Sequence, residues 1–121
     1  MTINQVIDTL DTQQPNTCSR VDKLNWLSRL DGQLKSQIWD QYRDAPAPEP
    51  YTPDTDPETV LPVPHPWDAL YLRYLQVQVD LVNGELTRYA NSSTLFNQLL
   101  GAYRDHYNRT HTPGEARLKY F

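Results

Sequence analysis

The chain has 121 residues, room for one ordinary domain, and its 38% apolar content allows only a small core. No apolar run approaches the roughly 20 residues a bilayer requires, which excludes a transmembrane helix, and the single cysteine, Cys18, excludes an internal disulfide. The net charge of −4 is localised: residues 1–43 and 67–121 are nearly neutral, while Asp44, Glu49, Asp54, Asp56 and Glu58 stand without a base in residues 44–66, so the chain lacks the basic footprint of a sequence-independent nucleic-acid binder.

Ile3, Val6, Ile7 and Leu10 recur at helical spacing and predict a short first helix that Pro15 ends. Ser19 and Asp22 resemble a capping box with Asp in place of Glu. They open a second helix with Val21, Leu24, Leu27, Leu30, Leu34, Ile38 and Tyr42 on one face. Asp31-Gly32 interrupts it with a poor helix former, about 1 kcal/mol worse than alanine, yet the periodicity resumes unchanged, so one continuous helix is expected. Eight of the ten prolines fall between Pro46 and Pro66, which forbids helix there and predicts an extended, semi-rigid strap over residues 44–66. Within it, Val60-Leu61-Pro62-Val63-Pro64 could add one short edge strand.

Pro66 suits the first turn of a third helix that carries Trp67, Leu70, Tyr74, Val77 and Leu81 at three-four spacing. Tyr71, Leu72, Leu75, Val79 and Val82 widen this apolar surface, leaving Asp68, Arg73, Gln76, Asp80 and Asn83 as a narrow polar stripe. Asn83-Gly84 supplies a stop. Leu86, Tyr89, Ser93, Phe96, Leu100, Tyr103 and Tyr107 then predict a fourth helix returning antiparallel, with the polar run Asn91-Ser92-Ser93-Thr94 as the place for any kink. Pro113-Gly114 ends it and leaves a C-terminal tail, residues 112–121. The expected fold is all-α: a single-domain antiparallel bundle of about four helices over residues 1–121, with the proline-rich strap and the tail.

The third helix carries more apolar surface than helices one, two and four are expected to cover, and the core offsets little more than the ordering entropy of the chain. Part of that helix is therefore expected to meet another copy. The alternative is a closed bundle with the third helix at its centre. Eight tyrosines and three tryptophans are a heavy aromatic load, and aromatics with arginine are what interface centres favour. The candidate interface residues are Trp67, Tyr71 and Tyr74 on the third helix, Arg104, Tyr107 and Arg109 on the fourth, and Tyr120 and Phe121 in the tail.

The residues point away from catalysis. His65, His106 and His111 are the only imidazoles, and the last two, five apart, do not share a helical face as metal-ligand pairs do. GxGxxG, GxxxxGK[ST] and HExxH do not occur. No catalytic residue, metal site or cofactor is expected, and the chain is not expected to be an enzyme. Met1 to Leu10 contain no basic apolar leader, so cytoplasmic synthesis is expected and the Asn91-Ser92-Ser93 and Asn108-Arg109-Thr110 sequons are chance matches.

At LNWLSRLDGQL (Leu24 to Leu34), HPWDALYLRYLQVQVDLVNGELTRYANSSTLFNQ (His65 to Gln98) and YRDHYNRTH (Tyr103 to His111), the chain resembles tailed-phage head-to-tail connector proteins. The resemblance covers about residues 21 to 113 and rests on the order of these patches. It implies a virion structural protein of the neck region, made in the host cytoplasm. Copies would form a homo-oligomeric ring, a dodecamer by the resemblance, docked beneath the portal protein. The ring would meet a downstream neck or tail protein and let DNA pass without specific binding. No cofactor and no membrane are implied. The long acidic proline strap departs from the group. A different class of reading is a small helical interaction or regulatory module whose PxxP-like stretch, Pro50-Tyr51-Thr52-Pro53, recruits a partner with an aromatic groove.

Overall fold

The computed structural model describes residues 1–43 and 45–111; the expected tail and Asp44 lie outside the described residues. Four α-helices make the fold: α1 (Ile3–Gln13), α2 (Arg20–Gln37), α3 (Ala69–Val82) and α4 (Leu86–Thr110), with a short 3-10 turn at Trp39–Gln41. The expected edge strand reduces to an isolated antiparallel bridge between Thr2 and Val60, and no β-strand occurs among the described residues.

The first turn of α1 shows how the proline-rich segment is held. A helix start leaves its first N–H groups without intrahelical acceptors. Here Ile3 N–H donates to the Thr59 carbonyl and Asn4 N–H to that of Pro57, each at 3.1 Å. Thr2 and Gln5 close a capping box, in which the Thr2 hydroxyl accepts from Gln5 N–H at 3.1 Å and the Gln5 side chain accepts from Thr2 N–H at 2.8 Å. Leu61 N–H in turn donates to the Met1 carbonyl at 2.9 Å. Ile3, Val6, Ile7 and Leu10 are all buried, as their spacing requires.

Helix α2 runs unbroken through Asp31-Gly32, and Ser19 caps it by accepting from Asp22 N–H at 3.1 Å. Val21 is exposed rather than facing the core, while Ile38 and Tyr42 are buried beyond the helix end, one on each side of the 3-10 turn. Helix α3 begins at Ala69, so Trp67 lies just before it. It ends in a Schellman-type stop: Gly84 takes φ +68°, Gly84 N–H donates to the Leu81 carbonyl and Glu85 N–H to that of Asp80, both at 3.1 Å. That left-handed φ is what glycine adopts without a Cβ penalty. Helix α4 then continues without interruption to Thr110.

Helix α3 packs against α1, α2 and α4, which puts it at the centre. Leu70, Tyr71, Tyr74, Leu75, Val77 and Val79 are buried by the chain itself. This buried set leaves only part of the helix open to a second copy. Residues that pattern reading kept out of the core are buried as well: Trp39 after α2, and Tyr51, Leu61 and Val63 from the proline-rich segment, with Val63 N–H donating to the Tyr71 hydroxyl of α3. Exposed apolar side chains remain at its C-terminal end, where Leu81 is 49% and Val82 63% accessible.

Candidate interaction site

Contacts between α3 and α4 step down one helix as they climb the other. The Ser92 hydroxyl donates to Asp80 at 2.7 Å, the Tyr74 and Phe96 rings lie 5.4 Å apart, and those of Trp67 and Tyr103 lie 6.1 Å apart. The two ends of the pair present different chemistry.

At the turn end, Leu81, Val82 and Leu86 are exposed together in sequence around Gly84, Leu86 at 73%. Singly exposed leucines need no explanation, but three within six residues at a tight turn concentrate apolar surface. Arg88 and Glu85 pair beside them at 3.2 Å.

At the other end an open groove of about 280 Å³ has two walls: Pro46, Pro62 and Pro64 form one, and Trp67, Tyr103, His106, Tyr107 and His111 the other. The aromatic wall is ordered by ring contacts. Trp67 lies 5.1 Å from His106, Tyr42 meets Tyr107 edge-on at 5.1 Å, and His111 stacks on Tyr107 at 3.6 Å with 4° between planes. The Trp39 indole N–H donates to the Tyr103 hydroxyl at 3.0 Å, and the Tyr42 hydroxyl donates to the Asn108 side chain. Burial pushes the Tyr103 phenol up to about 12.

Between α2, α3 and the proline-rich segment sits a buried carboxylate, Asp31, 2% exposed. The Tyr71 hydroxyl donates to one of its oxygens at 2.9 Å and the Tyr51 hydroxyl donates to the other. Tyr71 accepts in turn from Val63 N–H at 3.1 Å, and the Ser28 hydroxyl accepts from Tyr51 N–H at 2.8 Å. Burial pushes the Asp31 carboxyl up to about 6, against the opposing pull of the Tyr51 and Tyr71 hydrogen bonds. A second buried carboxylate, Asp80, accepts from the Gln14 side chain at 2.6 Å as well as from Ser92, tying the end of α1 to α3 and α4. Asp80 thus leaves the polar stripe that periodicity assigned it.

Of the candidate interface residues, Tyr71, Tyr74 and Tyr107 are buried in the chain's own core. Tyr71 and Tyr74 pack between the chain's own elements, while Tyr107, itself buried, lines the groove. Trp67 is half-buried in the groove wall, and Arg104 and Arg109 are exposed on α4. Arg104 reaches the Gln37 side chain at 3.5 Å, while Arg109 sits in the last turn, where a cation complements the helix dipole. Tyr120 and Phe121 lie outside the described residues. Sequence reading missed Asp31 and Tyr51 as a buried pair. The available signal was register, since Asp31 follows Leu27 by four and precedes Leu34 by three, inside the apolar stripe.

Among the described residues no group of three or more His, Cys, Asp or Glu side chains is arranged to hold a metal, and no helix is long and apolar enough to cross a membrane. No family model matches the chain, and no curated protein or solved structure matches it either.

Proposed function

We propose that the chain is a non-enzymatic structural adaptor of a tailed-phage virion, an antiparallel helical bundle clasped by its proline-rich segment. Copies assemble as a ring beneath the portal protein and extend the DNA channel toward a downstream neck or tail protein. The presence of two unlike surfaces at opposite ends of the α3–α4 pair carries this reading. An apolar turn (Leu81, Val82, Leu86) marks one end and an aromatic–proline groove the other. Head-to-tail closure uses two different patches per copy, one for each neighbour, whereas a two-fold dimer uses one patch twice. The resemblance over Leu24 to Leu34, His65 to Gln98 and Tyr103 to His111 supplies the virion context. Glu49, Asp54, Asp56 and Glu58 are exposed on the proline-rich segment, and negative charge of this kind repels DNA phosphate rather than binding it. Electron microscopy of the protein mixed with a tailed-phage portal protein tests the reading. Rings seated on the portal are expected, and a monomer that never co-sediments with portal would refute it.

The second reading is a helical interaction module. The aromatic–proline groove favours it, because aromatic walls of this kind accept extended proline-rich segments. The Pro50–Pro53 stretch is a weaker bait than its sequence suggests, since Tyr51 at its centre is buried against Asp31. This reading expects a one-to-one complex and no ring.

A further inference from the structure

The aromatic–proline groove continues into a second one. Glu49, Tyr51, Val60 and Pro62 are among the residues that line this further open groove of about 310 Å³, and Pro62 borders both. Val60 on its wall is 69% exposed, and Glu49 is exposed as well. The two grooves thus form one track across the proline-rich segment, and it begins where α4 ends. His111, a wall residue of the first groove, stacks on Tyr107 and holds its Nδ1 3.0 Å from the Tyr107 carbonyl, while its backbone turns extended at φ −123° and ψ 144°. The chain therefore leaves the helix from inside the groove wall.

The ten residues that follow, 112–121, carry the chemistry this track lacks. Ala116, Leu118 and Tyr120 alternate with Arg117 and Lys119, a period of two that gives an extended segment one apolar and one basic face. Residues 45–66 have no Lys or Arg, and Glu49, Asp54, Asp56 and Glu58 are exposed there. We propose that residues 115–121 seat in extended form along the groove of their own chain. Leu118 and Tyr120 turn onto the aromatic and proline walls, and Arg117 and Lys119 turn toward the acids of the proline-rich segment, Glu49 foremost. Reach permits it: ten extended residues span about 33 Å, close to the width of a small domain. Tethering favours the chain's own tail over a neighbour's, because a covalently joined segment meets its site at an effective concentration in about the millimolar range. The contact does not depend on ring assembly. Once seated, the tail is part of the surface that this end of the α3–α4 pair presents, and a proline-rich partner enters the groove only by displacing it.

Carbodiimide cross-linking of the full chain, which joins an amine to a carboxylate without a spacer, tests the seating. Light and nitrogen-15-labelled protein are mixed in equal amounts unfolded and refolded together. Lys119 is expected to join Glu49 or the acids near it, in peptide pairs whose two halves carry the same isotope. Leu118→Ser combined with Tyr120→Ser removes the apolar face, keeps every charge and lies beyond α4, so the fold stays and the yield of these pairs should fall about tenfold. Absence of the Lys119 links overturns the proposal, and so does a yield unchanged in the double variant, as a freely swinging tail would give. Pairs of mixed isotope making up half the total put the tail in a neighbouring copy's groove and overturn it too. Like-isotope pairs from protein that sediments as a monomer uphold the seated tail while removing the ring.

Discussion

The indole N–H of Trp39 donates to the hydroxyl of Tyr103 at 3.0 Å inside the core, joining residues 64 apart in sequence. Trp39 lies in the turn after α2 and Tyr103 in α4, so one polar contact ties the end of α2 to the groove wall. Tyr103→Phe would strand a buried N–H, at a cost of about 1–3 kcal/mol. Urea unfolding should show that loss, with a red or blue shift in native tryptophan emission as the indole loses its acceptor. Unchanged stability would mean that water replaces the hydroxyl.

Tyr74 offers a second test, because its burial separates a core role from an interface role. Truncating a buried aromatic costs about 3–5 kcal/mol. Tyr74→Ala should therefore lower thermal stability and cooperative unfolding in the isolated chain, whatever its state of association. Wild-type stability combined with lost assembly would instead put Tyr74 on a surface.

Global stability should also carry the signature of Asp31. Its folded-state carboxyl sits at about 6, above the ordinary 3.8, so the folded chain holds a proton that the unfolded chain has released. The sign follows: this contribution favours folding at low pH, is lost as pH rises from about 4 to 6, and is constant above. Comparing wild type with Asp31→Asn cancels the other acids. The difference should move by about 2 kcal/mol in favour of Asn between pH 4.5 and 7. Denaturant melts at the two pH values measure it.

Substitutions at the α3–α4 turn should do the opposite of Tyr74→Ala. Leu86 is 73% exposed at the first position of α4, where a carboxylate complements the helix dipole. Leu86→Asp should leave stability within about 0.5 kcal/mol, as surface changes usually do, while weakening association. Circular dichroism melts and sedimentation velocity together check both halves of that expectation.

Elements were legible where the pattern was local. Ile3, Val6, Ile7 and Leu10 placed α1 correctly because each apolar residue does fall on the buried face, and Pro15 and Asn83-Gly84 acted as the stops their backbone chemistry implies. The all-α class followed. Two kinds of feature were not legible. Asp31 and Asp80 carry charge, which reads as exposure, and only their distant partners Tyr51, Tyr71, Gln14 and Ser92 make burial tolerable. The prolines forbid helix and predict an extended, semi-rigid strap, with a short edge strand at Val60 to Pro64. Its pairing with α1 depends on backbone carbonyls at Pro57 and Thr59, which no side-chain pattern encodes.

The most direct test is native mass spectrometry of the full chain beside two variants that each damage one end of the α3–α4 pair, Leu86→Asp at the turn and His106→Asp in the groove. Wild-type protein is expected as a closed ring of one copy number, and either variant as monomers, since every contact in a head-to-tail ring uses both ends. Rings that persist in both variants, or a wild-type population that stops at dimers, would contradict the proposed assembly.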